Sequence, residues 1–411
     1  MNTPIKNHTG AWLTVGLLWI VALLNYLDRQ MITTMRGSLT TAIPMTDAQF
    51  GMLTTIFAWV YGLVSPFAGF LADRFNRSRV IVGSLFAWSV FTWLTGHAKT
   101  FEQLRAARAL MGISEAIYIP AALALISDFH RGGTRSLATG IHMTGIAVGS
   151  ALAGLGGVLA ERHGWSFAFT VFGGIGMGYA VVLLFTLRDA PAEQTEVSTD
   201  AQRPAGKPSM ADALRSLFTN RSYLLMLVYW GLLGLTGWAV AGWMPTYFQE
   251  RFHLTQGVAG LTATSYLQAA TLLGLIIGGT WADRWAGTNS RARILVPAIG
   301  LCISAPGLLL LSQTNVLNIA IIGLMIHGLT RSFTDANMMP ALCLVSDPRY
   351  RATGYGVLNL FSCLIGGSAP YIGGKLRDAQ IGLNQLFVFA ALNMLVCAAV
   401  MFCVKPVRNP K

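Results

Sequence analysis

Long apolar runs, separated by short clusters of charged, glycine and turn residues, follow one another from Trp12 to Val404. A helix that crosses the hydrocarbon core of a bilayer needs about 20 apolar residues. On that scale the runs predict twelve spans, over 12–36, 50–71, 79–98, 103–126, 136–159, 166–187, 223–248, 258–280, 293–312, 317–345, 352–374 and 383–404. The first run contains Asp28 and Arg29 and lacks a small-residue cleavage site, so it reads as a span and not as a removable signal. An even number of spans places both ends of the chain on one face. The polar segment 188–222, with its Pro, Ser and Thr residues, cannot bury a core and predicts a linker between domains at 1–187 and 223–411. The expected fold is an all-α integral membrane protein of two pseudo-symmetric six-helix bundles.

Composition agrees. Of 411 residues 54% are hydrophobic and 11% charged, against about 25% charged in soluble domains, and mean hydropathy is +0.54. The net charge of +12 comes without a basic helix or cation run, which argues against a nucleic-acid partner. With the N-terminus inside, 19 of the 29 Lys and Arg residues fall on the cytoplasmic side. The positive-inside rule therefore predicts cytoplasmic termini in a plasma membrane, the inner membrane of a bacterium. Cys302, Cys343, Cys363, Cys397 and Cys403 sit inside apolar runs without metal or redox spacing, so they read as buried packing residues, with no metal and no cofactor expected. HExxH, GxSxG and P-loop motifs are missing, which weighs against an enzyme.

The halves repeat. Gly69-x-x-x-Asp73-Arg74 after the second span recurs as Gly279-x-x-x-Asp283-Arg284 after the eighth. Pro120 through Ser127-Asp128 is echoed by Pro340 through Ser346-Asp347, with an acid, Glu115 or Asp335, five positions before each proline. Arg135 with Ala138-Thr139-Gly140 matches Arg351-Ala352-Thr353-Gly354. Repeated bundles of this kind build alternating-access transporters, whose substrate sites lie near the midplane between the halves.

These Gly-x-x-x-Asp-Arg loops resemble the signature of the Major Facilitator Superfamily, and the resemblance covers essentially the whole chain. Asn76 and Ser78 replace the usual glycine and a usual basic residue in the first loop. Asn25-Tyr26-Leu27-Asp28-Arg29 and Arg108-x-x-x-Gly112-x-x-Glu115-Ala116 resemble the anion:cation symporter branch of sugar-acid/proton symporters and sialin-like carriers. Spinster-like lipid carriers share similar motifs. The proline motif of drug/proton antiporters is missing from Gly145 to Gly154. The resemblance implies Asp28 and Glu115 as proton sites, Arg29 as partner of a substrate carboxylate and Arg108 as a switching cation.

Charge inside a bilayer is costly, about 2.5 to 3.5 kcal/mol per group on insertion scales, so the intramembrane charges are the functional candidates. Arg108 and Glu115, seven apart, share a helix face, with Gly112 between them leaving room for a side chain or ligand. Permanent pairing, Asp28 with Arg108 and Glu115 with another cation, is the structural alternative. In the tenth span His327, Arg331 and Asp335 form one stripe, with Asn337 nearby. Arg331 is a candidate second anchor unless it only neutralises Asp335, and His327 reads as an interior hydrogen-bonded residue. Tyr26, Tyr118, Tyr229, Trp230, Trp238, Tyr355, Asn359 and Ser362 complete the candidate cavity, with His142 and Thr144 as outside candidates. Gly69, Asp73, Arg74, Gly279, Asp283 and Arg284 are the candidate gating residues.

The function expected from the sequence is proton-coupled symport of a small organic anion, foremost a sugar acid or carboxylated sugar, by a functional monomer in the lipid bilayer. A Spinster-like carrier of an amphipathic or lipid-like anion is the alternative and predicts a more apolar cavity. A membrane sensor that does not transport is a third class.

Overall fold

The structure, a computed structural model, describes residues 8–130, 134–190 and 210–406, except for the side chains of a few of them, Gly69 to Asp73 included. Its first half runs α1 (His8–Gln30), α2 (Arg36–Ala42), α3 (Asp47–Arg74), α4 (Arg77–Thr95), α5 (Phe101–Ala116), α6 (Tyr118–Phe129), α7 (Arg135–Leu152), α8 (Leu155–His163) and α9 (Trp165–Thr186). After α10 (Met210–Phe218) the second half runs α11 (Arg221–Arg251), α12 (Gln256–Ala286), α13 (Ala292–Gln313), α14 (Leu317–Val345), α15 (Arg351–Ile365), α16 (Ala369–Asp378) and α17 (Leu383–Cys403). Among the described residues they make twelve spans long and apolar enough to cross a membrane, each matching one of the twelve runs expected from the sequence.

Three spans are broken rather than continuous. Pro120 cannot donate to Ala116 and its ring would strike that carbonyl, so α5 stops at Ala116 and α6 restarts. Pro370 likewise follows the 3-10 turn Gly366–Ser368 between α15 and α16. The fifth span divides at Ala153-Gly154 into α7 and α8. Side-chain oxygens of Asn76, Thr100 and Asn220 satisfy the free amides at the starts of α4, α5 and α11.

Lipid gives no hydrophobic drive for helices to associate, so close backbone approach must do it. Gly145 and Gly149 let α7 lie on α1 at Trp19 and Leu23, and Gly274 and Gly278 let α12 lie on α14 at Leu329 and Phe333. The first six spans form one bundle and the last six the other. They meet where α3 packs on α15 and α16, and α12 on α7 and α8.

Two expectations need correction. Residues 191–209 of the expected linker lie outside the described residues, but its remainder contains helix α10, whose Ala213 and Leu217 are buried against the second bundle. An amphipathic turn can bury its apolar face even within a polar segment. Of the cysteines, only Cys363 and Cys397 are buried; Cys302 and Cys403 are exposed on the bundle surface, where an apolar residue faces lipid.

Candidate functional site

Tyr26, Asp28 and Arg29 lie in the last turns of α1, and Arg108 and Glu115 on α5. The Arg29 guanidinium donates to Glu115 Oε2 from Nε (3.0 Å) and Nη2 (2.8 Å), and Nη2 also reaches Asn25 Oδ1 at 3.4 Å. Three rings enclose it, with Tyr26, Tyr61 and Phe57 centroids 4.4, 4.7 and 4.9 Å from its central carbon. The planar cation is thus held by both charge and ring faces. Glu115 is fully buried, and its Oε1 has no protein partner.

Asp28 is fully buried as well, with Thr92 Oγ1 at 3.4 Å from Oδ2 and nothing on Oδ1. The expected alternative of an Asp28–Arg108 pair is not formed. Arg108 instead donates to the carbonyls of Arg29 (3.1 Å) and Leu53 (3.3 Å) and to Met111 Sδ, and its guanidinium lies 4.8 Å from the Phe57 ring. It ties α5 to α1 and α3 from inside the bundle and does not face the cavity. The room expected at Gly112 is filled by α3, whose Phe57 carbonyl would stand 2.8 Å from an added Cβ. Helix crossing, not ligand space, explains that glycine.

On α14, Arg331 Nη1 donates to Asp335 Oδ2 at 3.0 Å, one turn away. His327 bonds to Ser304 Oγ at 2.7 Å, the interior role expected for it. Between the bundles a cavity of about 550 Å³ is lined from the first half by Tyr26, Arg29, Gln30, Thr33, Thr54 and Ser150, and from the second by Trp238, Gln268, Thr271, Arg331, Asp335 and Ser362. Met143, Ile146, Met244, Leu267 and Leu275 add apolar wall. Arg29, paired with the fully buried Glu115, and the Arg331–Asp335 pair therefore address one space from opposite halves.

Several candidates do not. Tyr118 is in the core, donating to the Leu18 carbonyl at 2.8 Å. Tyr229 is buried with a free hydroxyl, and Trp230 packs beside it. Asn337 staples α14 to the Gly278 carbonyl of α12 at 3.2 Å. Tyr355 and Asn359 lie outside the cavity wall, as do His142, buried against Tyr118, and Thr144, bonded to Trp19. Mid-span polarity alone does not tell a cavity face from a helix-packing face. Conversely Tyr61, Phe57, Gln30, Thr33 and Gln268 escaped the sequence reading; the only signal was the four-residue spacing of Phe57 and Tyr61 on one face of a helix.

At the end bearing the termini, Asp283 accepts from Arg293 at 3.1 Å, tying α12 to α13 within one bundle, while Arg284 is exposed and Gly279 lies beside Ala336. Arg74 ends α3, and the side chains of Gly69 and Asp73 lie outside the described residues. Arg77 of α4 pairs with Asp128 of α6. Among the described residues, the bonds that join the bundles cluster toward the opposite end, from Trp59 Nε1 on the Leu364 carbonyl (3.0 Å) to Arg377 on Asp47 (2.9 Å).

Two six-helix bundles around a central cavity with an arginine on each wall define the architecture of a secondary membrane transporter. The chain matches the Major Facilitator Superfamily over residues 18–370 and again over 232–411, and it belongs to that superfamily. It is similar to Protein spinster homolog 1 of Xenopus tropicalis, 27% identical over 409 residues covering 94% of this chain and 77% of that protein. It is also similar to a probable L-galactonate transporter of Escherichia coli (strain K12), 24% identical over 413 residues, covering 96% and 90%. A solved bacterial homologue of the human lysosomal transporter Spinster, inward-facing and unoccupied, superposes with a TM-score of 0.82 at 22% identity, covering 97% of this chain and 98% of that one.

Proposed function

We propose that this transporter carries an organic anion together with protons, the acid group of the substrate taking the place of Glu115 on Arg29. The observation that carries the reading is the buried Arg29–Glu115 pair opening onto a cavity that Arg331 reaches from the other half. While the site is empty Glu115 neutralises Arg29. Protonation of Glu115 would remove its charge and free the guanidinium fork for a carboxylate or phosphate, which it can hold bidentately. Asp28, buried without a counter-ion and next to Arg29 on α1, supplies a second acid. A proton and an anion that each favour the same state are coupled by linkage.

The wall argues for the rest of the substrate. Its apolar side chains, with Trp238, Met143, Met244 and Leu267, suit an anion with an apolar body, which favours the Spinster-like alternative over a bare sugar acid. A second reading, a sugar acid, draws on Gln30, Thr33, Thr54 and Gln268 as hydroxyl partners and on the similarity to the probable L-galactonate transporter. In this reading the termini face the cytoplasm, and the conformation is closed toward the outside.

The test is a thermal-shift screen of purified protein with single-chain anionic lipids, hexuronates and aldonates, followed by uptake into proteoliposomes with an imposed pH gradient. Stabilisation by the anionic amphiphiles and pH-driven uptake are expected. Uptake indifferent to the proton gradient would overturn the coupling; stabilisation by the sugar acids alone would favour the second reading.

A further inference from the structure

The end of the molecule opposite the termini contains a duplicated device. Helix α3 starts after Thr46 and α12 after Thr255, and in both the threonine hydroxyl accepts from the third amide of the helix, Gln49 at 3.2 Å and Val258 at 3.4 Å. A helix start leaves further amides unpaired. In both helices these are taken by a carboxylate from the other bundle. Asp378, ending α16, accepts from the amides of Asp47 (2.9 Å) and Ala48 (3.1 Å), and Glu161, in the last turn of α8, accepts from Gly257 at 2.9 Å.

The two acids end matching segments, Gly156-Gly157-Val158-Leu159-Ala160-Glu161 and Gly373-Gly374-Lys375-Leu376-Arg377-Asp378. In each, the second glycine lies against the first turn of the capped helix. A Cβ on Gly157 would meet the Gln256 carbonyl at 2.9 Å, and one on Gly374 would overlap that of Asp47. The glycine brings the helices together and the acid one turn later reaches the amides. One copy is reinforced by charge, since Arg377 bridges Asp47 and Glu250, and Arg36 joins the same two acids. The other is reinforced by Gln256, which bonds to Ser38.

We infer that Glu161 and Asp378 are reciprocal latches: each bundle caps the first turn of a helix in the other, and opening this end breaks both caps together. A carboxylate suits the task because it answers both the free amides and the positive end of the helix dipole. Separation of the bundles leaves three helix-start donors, the amides of Asp47, Ala48 and Gly257, to find water, so the caps favour the closed state and release as a unit.

Amide exchange, read by mass spectrometry on the full chain in nanodiscs, tests this without any substrate, so it stands apart from the proposed cargo. In Asp378→Ala, exchange at residues 47–48 should rise about fivefold, the scale of a lost cap, and exchange at 257, in the untouched latch, should rise with it. Glu161→Ala should produce the converse pattern, and Asp378→Glu should stay near the wild-type rate in both regions. Faster exchange confined to the helix whose cap was removed overturns a shared latch, and unchanged exchange at both overturns capping. If Asp378→Ala fails to fold, Glu161→Ala carries the same test, since it reads both helices from the opposite side.

Discussion

Arg29 places two of its donors on a single oxygen of Glu115, at 3.0 and 2.8 Å, and leaves the second oxygen of that carboxylate without a partner. Neither group can change state without the other registering it. Removing one partner of a buried pair strands a charge, at a cost of about 3 to 5 kcal/mol. Arg29→Ala is therefore expected to lower thermal stability by that order and to abolish uptake. The double variant Arg29→Ala/Glu115→Ala should regain stability but not uptake, as measured by melting temperature and proteoliposome flux. Restored uptake in the double variant would remove Arg29 from the substrate's path.

Asp28 differs, because no cation holds it. Asp28→Asn keeps the shape and the Thr92 contact while removing the exchangeable charge, so folding and substrate exchange should persist and proton-driven accumulation should fall at least about tenfold. Equal accumulation in mutant and wild type under the same pH gradient would leave Asp28 a structural residue.

Arg331 and Asp335 keep 26% and 33% of their side chains accessible, and such a pair contributes about 0 to 1 kcal/mol. Arg331→Ala should thus fold normally, and any loss of binding belongs to the substrate and not to the bundle. A weakening of about 1.5 to 3 kcal/mol is expected for a lost charge-assisted bond. Recovery of ligand-induced thermal shift in Arg331→Ala/Asp335→Ala would show that Arg331 only balanced its neighbour.

Two glycines separate conformation from stability. A Cβ on Gly51 would overlap the Pro370 carbonyl across the bundle interface, whereas one on Gly149 would overlap Leu23 within the first bundle. Gly51→Ala should shift the population toward the state open at that end, seen as faster exchange at 47–48, with little change in melting temperature. Gly149→Ala should cost about 1 to 3 kcal/mol of stability, the scale of overpacking. A reversed pattern would contradict the assignment of these two contacts.

The spans were legible because the bilayer imposes one length and one polarity on every crossing helix, and apolar runs record both. The family was legible because short loops that repeat at fixed places, such as Gly69 to Arg74 and Gly279 to Arg284, survive as local strings. The charged candidates were legible for a related reason: carboxylates and guanidiniums inside an apolar run stand out by their cost.

What each polar group touches was not legible. Arg108 and Arg29 look alike in sequence, yet one is bonded to backbone carbonyls inside the bundle and the other lies on the cavity wall. Tyr118 and Tyr26 divide in the same way. The repeated Gly-Gly-x-Leu-x-acid segments were present in the sequence, but their meaning depends on which helix start lies across from them. The sequence by itself determined the number of spans, the two-fold repeat and the superfamily, because these follow from local polarity and spacing. Only the tertiary structure decided which pairs form, which glycines are crossings and which acids cap a foreign helix, because those depend on the rotation and approach of helices that lie far apart in the chain.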